Sequence, residues 1–229
     1  MAKLIVALDY TYASEALAMA NILKKHVEWV KVGLELFTHE GPNTIQLLKR
    51  MGFKVMLDLK LFDIPNTVKG SVRSACLMGV DMLTLHILGG EHMIKAALNE
   101  VQNSIQKKSH APLLFGVTIL TSIKQGELPG YNQDITSMVL NLAEYGQQWG
   151  LHGIVCSGQE LTKIKALYPS LSCLTPGIRM SYSQKDDQNR VMTPSEAVKA
   201  GSDFLVIGRP ITQAEQPIKI VEDIISSIM

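Results

Sequence analysis

Lys54-Val55-Met56-Leu57-Asp58-Leu59-Lys60-Leu61-Phe62-Asp63-Ile64-Pro65-Asn66-Thr67 opens as an apolar run and closes in acid, base and acid ahead of a proline. The apolar part, Lys54 to Leu59, has the length and composition of a buried strand. Successive side chains of a strand point to opposite faces, so Asp58 and Lys60 are expected on one face and Leu57 and Leu59 on the other. A carboxylate and an ammonium are thereby aimed at one place at a strand end. Two carboxylates ~4.5 Å apart repel by roughly 4 kcal/mol at an effective dielectric of about 20, so Asp58 and Asp63 can share a site only with a cation between them. Lys60 is the candidate for that cation.

The same strand signal recurs along the chain, at Leu4 to Leu8, Trp29 to Gly33, Met82 to Ile87, Leu113 to Leu120, Gly153 to Cys156, Leu171 to Thr175 and Phe204 to Ile207, which with Lys54 to Leu59 makes eight runs. Between them lie amphipathic segments with helical spacing: Glu15 to Lys25, Thr44 to Met51, Met93 to Val101, Ile135 to Trp149 and Ile218 to Ile228. Gly52 and Gly79 stand where helix C-caps belong, Pro169 follows the sixth helix, and Thr193-Pro194-Ser195-Glu196 has the pattern of a capping box with proline at the first helical position. Strands alternating with helices imply a parallel sheet. Eight units of about 29 residues predict an α/β fold, a (β/α)8 TIM barrel of near-minimal size, with residues 1–229 as a single catalytic domain. An open doubly wound sheet is the alternative.

Composition narrows the partners. The chain has 229 residues, 46% of them hydrophobic, enough to bury a large core. Lys and Arg total 22 against 21 Asp and Glu, a formal net charge of +1 that gives no electrostatic case for nucleic acid or an anionic membrane. A small-molecule partner fits better. No run approaches the ~18 apolar residues of a membrane span, and Met1 to Asp9 is too short in its apolar part for a signal sequence. Cys76, Cys156 and Cys173 form no CxxC and sit in apolar contexts, which predicts buried thiols and a reducing, cytoplasmic setting. No histidine spacing suits a metal, and the methionines, Met51, Met56, Met78, Met82 and Met93 among them, follow core positions.

A barrel places its active site at the C-terminal ends of the strands. Those ends carry Asp9, Lys31, Asp58 with Lys60, His86, Thr118 and Thr121, Ser157, then Thr175-Pro176-Gly177-Ile178-Arg179, and last Gly208-Arg209-Pro210. Five charges, Asp9, Lys31, Asp58, Lys60 and Asp63, are expected in one cluster. Such a group is neutral or costly for stability compared with apolar packing, which makes function the better reason for it. Two acidic neighbours favour the ammonium form of Lys60, so it suits a fixed proton donor to a carbanion better than a Schiff-base nucleophile. Gly208-Arg209 ends the eighth run, where this fold commonly grips phosphate, with Arg209 adding a charge-assisted contact. The polar stretch from Arg179 to Arg190 lacks apolar periodicity and reads as an exposed loop or a lid whose Gln188 and Arg190 could meet an anion. Of the histidines, His86 alone stands at a strand end and is a candidate to line the pocket.

The motif Asp58-x-Lys60-x-x-Asp63-Ile64-Pro65-Asn66-Thr67 closely resembles that of the orotidine 5'-phosphate decarboxylase family. The likeness extends through Val6-Ala7-Leu8-Asp9, Lys31-Val32-Gly33, Thr118-Ile119-Leu120-Thr121-Ser122, Thr175-Pro176-Gly177-Ile178-Arg179, Asp187-Gln188 and Val206-Ile207-Gly208-Arg209-Pro210-Ile211-Thr212, while His86-Ile87-Leu88-Gly89-Gly90 is an unusual spelling of the fourth strand end. The resemblance implies decarboxylation of orotidine 5'-monophosphate to UMP, the last step of UMP synthesis, without cofactor or metal. It implies that Asp58 crowds the orotate carboxylate and that Lys60 stabilises and protonates the carbanion at C6. Lys31 would complete the charge network and, with Asp9, hold ribose hydroxyls, and Thr121 would contact the pyrimidine. Gln188, Arg209 and the Gly208 backbone would bind phosphate, and Arg179 would open the mobile loop. It also implies a homodimer in which Asp63 and Thr67 serve the neighbouring site. A metal-dependent sugar-phosphate decarboxylase or aldolase resembling this family shares the Asp-x-Lys-x-x-Asp motif, but carries an acid on the second strand where Lys31 stands here. A dimer that binds a nucleotide phosphate without turning it over is the other alternative.

Overall fold

The computed structural model describes residues 2–107, 109–128, 130, 133–179 and 192–228. Eight strands, β1 Lys3–Ala7, β2 Trp29–Gly33, β3 Lys54–Leu61, β4 Met82–His86, β5 Leu113–Val117, β6 Gly153–Val155, β7 Ser172–Thr175 and β8 Phe204–Ile207, pair in sequence order, all parallel. β8 pairs back onto β1, Leu4 beside Leu205 and Val6 beside Ile207, so the sheet closes into the expected barrel and has no open edge. The described residues also form ten helices: α1 Ala13–Leu23, α2 Leu34–Glu40, α3 Pro42–Arg50, α4 Pro65–Met78, α5 Gly90–Gln106, α6 Ile135–Trp149, α7 Leu161–Leu167, α8 Pro194–Lys199, α9 Arg209–Thr212 and α10 Pro217–Ile228.

Local chemistry accounts for the boundaries. Proline occupies the first turn of α3, α4 and α8, where its missing N–H costs nothing. Gly79 closes α4 at φ 75°, and the Thr193–Glu196 capping box is formed in both directions. The helix expected over Met93 to Val101 is part of the longer α5, and the strand expected to reach Leu120 stops at Val117, after which the Thr118 backbone N–H and its Oγ1 both donate to Val155 O, at 3.2 and 2.8 Å. No helix among the described residues is long and apolar enough to cross a membrane.

Two apolar layers follow from strand alternation. Leu4, Val6 and Leu8 of the first strand region face the helices, whereas Ile5 and Ala7 face the barrel axis. The axial layer also holds Trp29, Met56, Met82, Phe115, Val117, Val155, Leu174, Phe204 and Val206. Trp29 and Phe115 both meet Phe204 edge to face, at ring separations of 5.9 and 5.5 Å, and plug the interior. The three cysteines are free and buried in the outer layer.

Candidate active site

The axial layer changes character toward the C-terminal mouth. Two residues beyond Ala7, Trp29, Met56 and Met82 come Asp9, Lys31, Asp58 and Thr84, so the period that builds the plug also aims these polar groups at the mouth. Lys31 Nζ lies 2.7 Å from Asp9 Oδ1 and 3.8 Å from Asp58 Oδ2, and Lys60 Nζ lies 2.9 Å from Asp58 Oδ2. Acid and base thus alternate along one line: Asp9, Lys31, Asp58, Lys60. The Lys31 side chain is 9% exposed and that of Asp58 13%, whereas that of Asp9 is 57% exposed at the outer end. Gly33 makes the first contact possible, since a Cβ there would stand 2.9 Å from Lys31 Nζ and 3.1 Å from Asp9 Oδ1.

Burial of Asp58 works against its ionised form, but the Lys31 and Lys60 ammonium groups and hydrogen bonds from Lys60 and Thr84 outweigh it and hold the carboxyl below its ordinary range. Asp58 is therefore a buried anion at neutral pH, already compensated by its neighbours.

Lys60 reaches Asp58 by a different route from simple alternation. Leu57 pairs with Leu83 and Leu61 with Leu85, so Asp58, Leu59 and Lys60 bulge opposite Thr84 alone. Lys60 takes a left-handed conformation at φ 50°, unique among the described non-glycine residues, at a cost of roughly 1–2 kcal/mol. Such strain at a group poised against a carboxylate is characteristic of functional positions.

A cavity of about 510 Å³ opens over this line, and Asp9, Lys31, Asp58, Lys60, Thr121, Arg179, Gly208 and Arg209 all border it. Around the rim they come in strand order: Gly208 and Arg209 after β8, Asp9 after β1, Lys31 on β2, Asp58 and Lys60 on β3, Thr121 after β5, and Arg179 after β7. Arg179 is anchored there, its N–H donating to Met192 O at 3.0 Å. Gln188, with Asp187 and Arg190, lies outside the described residues.

Asp63 is a correction to the five-charge cluster. It is exposed, borders no part of the cavity, and accepts the Ile64 N–H at 2.6 Å. After the bulge the chain leaves the barrel axis, and Ile64-Pro65 starts α4 outside the mouth, carrying exposed Thr67 with it. His86 does not border the cavity either. It packs on the Phe62 ring at 5.6 Å, and burial, then the nearby Lys60 charge, lower its pKa against the opposing pull of Asp58. Thr84 went unrecognised in the sequence, although it sits two residues beyond an axial methionine, the same parity that marks Asp58.

A closed parallel barrel with an alternating acid–base array at the C-terminal end of its strands defines a (β/α)8-barrel fold with an enzyme-like site. More specifically, the chain belongs to the Orotidine 5'-phosphate decarboxylase / HUMPS family, whose sequence profile matches residues 2–224. It is 96% identical over 229 residues, all of both chains, to the orotidine 5'-phosphate decarboxylase of Lawsonia intracellularis. It is 52% identical over 219 residues to the enzyme of that name from Nitratidesulfovibrio vulgaris, covering 95% of this chain and 93% of the relative. Among solved structures, the orotidine 5'-phosphate decarboxylase of Lactobacillus acidophilus superposes with a TM-score of 0.85 at 33% identity, covering 100% of this chain and 99% of the other.

Proposed function

We propose that this chain decarboxylates orotidine 5'-monophosphate to UMP, through a C6 carbanion that Lys60 protonates. The observation that carries it is the Asp9–Lys31–Asp58–Lys60 array, ordered on three adjacent strands with Arg209 one strand further round. A nucleotide laid along that rim puts phosphate at Arg209 and the Gly208 backbone, ribose hydroxyls at Asp9 and Lys31, the reacting carbon at Asp58 and Lys60, and the pyrimidine near Thr121. Asp58, buried and ionised, crowds the substrate carboxylate. The C6–carboxylate bond breaks, neutral CO2 leaves, the electron pair stays on C6, and an N–H of Lys60 supplies the proton. Solvent then reprotonates the lysine. Arg179 and Gln188 add to the contacts on the phosphate side, and grip on that remote group helps to assemble the reacting geometry.

Two copies complete each site. Phe62 and Ile64, 62% and 67% exposed, flank Asp63, and Tyr12, Leu34 and Leu88 are exposed nearby in sequence to β1, β2 and β4 ends, an apolar rim suited to a second copy. Asp63 and Thr67 then serve the partner's cavity, which accounts for their distance from their own. The free thiols suit a reducing, cytoplasmic setting.

The metal-dependent sugar-phosphate reading is disfavoured by Lys31, whose ammonium stands between the Asp9 and Asp58 carboxylates where a divalent cation would have to bind. Incubation of the protein with orotidine 5'-monophosphate in EDTA tests all three readings. Loss of orotate absorbance with formation of UMP is expected; dependence of turnover on added Mg2+ would favour the sugar-phosphate type, and binding without conversion would favour a non-catalytic dimer.

A further inference from the structure

Thr84 is fully buried on β4 and is the single residue facing the three-residue bulge of β3. Its hydroxyl donates its one hydrogen to Asp58 Oδ1 at 2.9 Å and accepts the Lys60 backbone N–H at 3.0 Å. Asp58 Oδ2, by contrast, is the oxygen that both ammonium groups approach, Lys60 at 2.9 Å and Lys31 at 3.8 Å. One side chain therefore holds the carboxylate of one reacting group and the main chain of the other. It does so where the bulge has removed ordinary ladder bonds and where Lys60 is held in an unfavourable backbone conformation.

We infer that Thr84 is a positioning residue for the decarboxylation, its hydroxyl clasping the β3 bulge so that Asp58 presents its outer oxygen and Lys60 its ammonium at a set separation. The inference rests on the decarboxylase reading above. It differs from a packing role in requiring the oxygen: a valine of the same shape fills the space but can neither donate to Asp58 nor accept from Lys60. Loss of the donor also removes one of the contacts that keep Asp58 ionised, so the effect must be visible in pH dependence as well as in rate.

The test compares Thr84→Val, Thr84→Ser and the unaltered protein for turnover of orotidine 5'-monophosphate across pH, with UMP affinity and thermal unfolding measured alongside. Thr84→Val is expected to lower kcat by roughly 10- to 100-fold with UMP affinity changed less than about threefold, and to move the acidic limb of the rate profile to higher pH. Thr84→Ser is expected to recover most of the rate and to return the limb to its place. Equal impairment of the two variants, a kcat for Thr84→Val within about twofold of the unaltered protein, or a lowered kcat with the limb unmoved would overturn the inference. Should Thr84→Val fail to fold, Thr84→Ala carries the same comparison, since it also lacks the oxygen without crowding the interior. Absence of turnover in the unaltered protein would refute the decarboxylase reading itself, which keeps the two failures apart.

Discussion

Lys31→Met removes one charge from the centre of the array while keeping an unbranched side chain of similar length. The structure sets the size of the effect. Lys31 Nζ and Asp58 Oδ2 are 3.8 Å apart, and both side chains are less than 15% exposed, at 9% and 13%. At an effective dielectric of about 20 that pair is worth about 4 kcal/mol, which limits the loss to roughly a thousandfold in rate. Lys60 remains 2.9 Å from the same oxygen and Thr84 still donates to the other, so a loss nearer a hundredfold in kcat is expected. The pH dependence gives the sharper signature. Without Lys31 the burial of Asp58 is less opposed, so its carboxyl titrates at higher pH, and a reaction that needs the carboxylate loses activity earlier on acidification. Folding follows the same sign: a carboxyl lowered in the folded chain stabilises it above the unfolded value, near 3.9, and that contribution is lost as pH falls through the folded value. Initial rates from about pH 5 to 9, followed by loss of orotate absorbance, read out both effects. A variant with kcat within about twofold of the parent and an unmoved acidic limb would refute the assigned coupling.

Gly33→Ala should keep the fold but push the Lys31 ammonium off Asp9, because the new Cβ meets the flexible end of a side chain; a lowered kcat/KM with unchanged circular dichroism is the expected result. Lys60→Ala should nearly abolish turnover while UMP binding, measured by calorimetry, persists. Mixing inactive Lys60→Ala with inactive Asp63→Ala should restore up to about a quarter of the parental activity if Asp63 acts across a dimer, since only one site of each hybrid keeps both residues; no recovery after subunit exchange would place Asp63 elsewhere. Arg209→Ala should chiefly raise KM, and an unaltered KM would count against its phosphate contact. His86, lowered by burial and then by Lys60, stays neutral in the folded chain while the unfolded chain takes up a proton below about pH 6.5, so stability should fall as pH drops through that value until the folded imidazole protonates too. His86→Asn should flatten that part of the Tm profile.

The barrel was legible because each unit repeats one local rule. Apolar runs such as Leu4 to Leu8 and Phe204 to Ile207 end at Gly, Asp or Arg, a helix starts at Pro194 behind Thr193, and Gly79 closes another, all signals contained within a few residues. The charges of Asp9, Lys31, Asp58 and Lys60 were legible by the same means, as polar residues at strand ends. Three features were not. The bulge that brings Lys60 back to Asp58 depends on the register between β3 and β4, which neither strand encodes alone. The exit of Asp63 from its own site depends on the direction in which α4 leaves the mouth. Thr84 reads in isolation as one more β-branched strand residue, and its role exists only because Asp58 and Lys60 lie across from it.

The order of elements, the closure of eight parallel strands and the set of charged residues at their ends are properties of the chain by itself, since hydrophobic period and capping chemistry act over short sequence distances. Which charges touch, at what separation and in which ionisation state was decided by tertiary structure alone. Coulomb energies and desolvation depend on distances of a few ångströms between residues such as Asp9 and Lys31, or Asp58 and Thr84, that lie 22 and 26 positions apart.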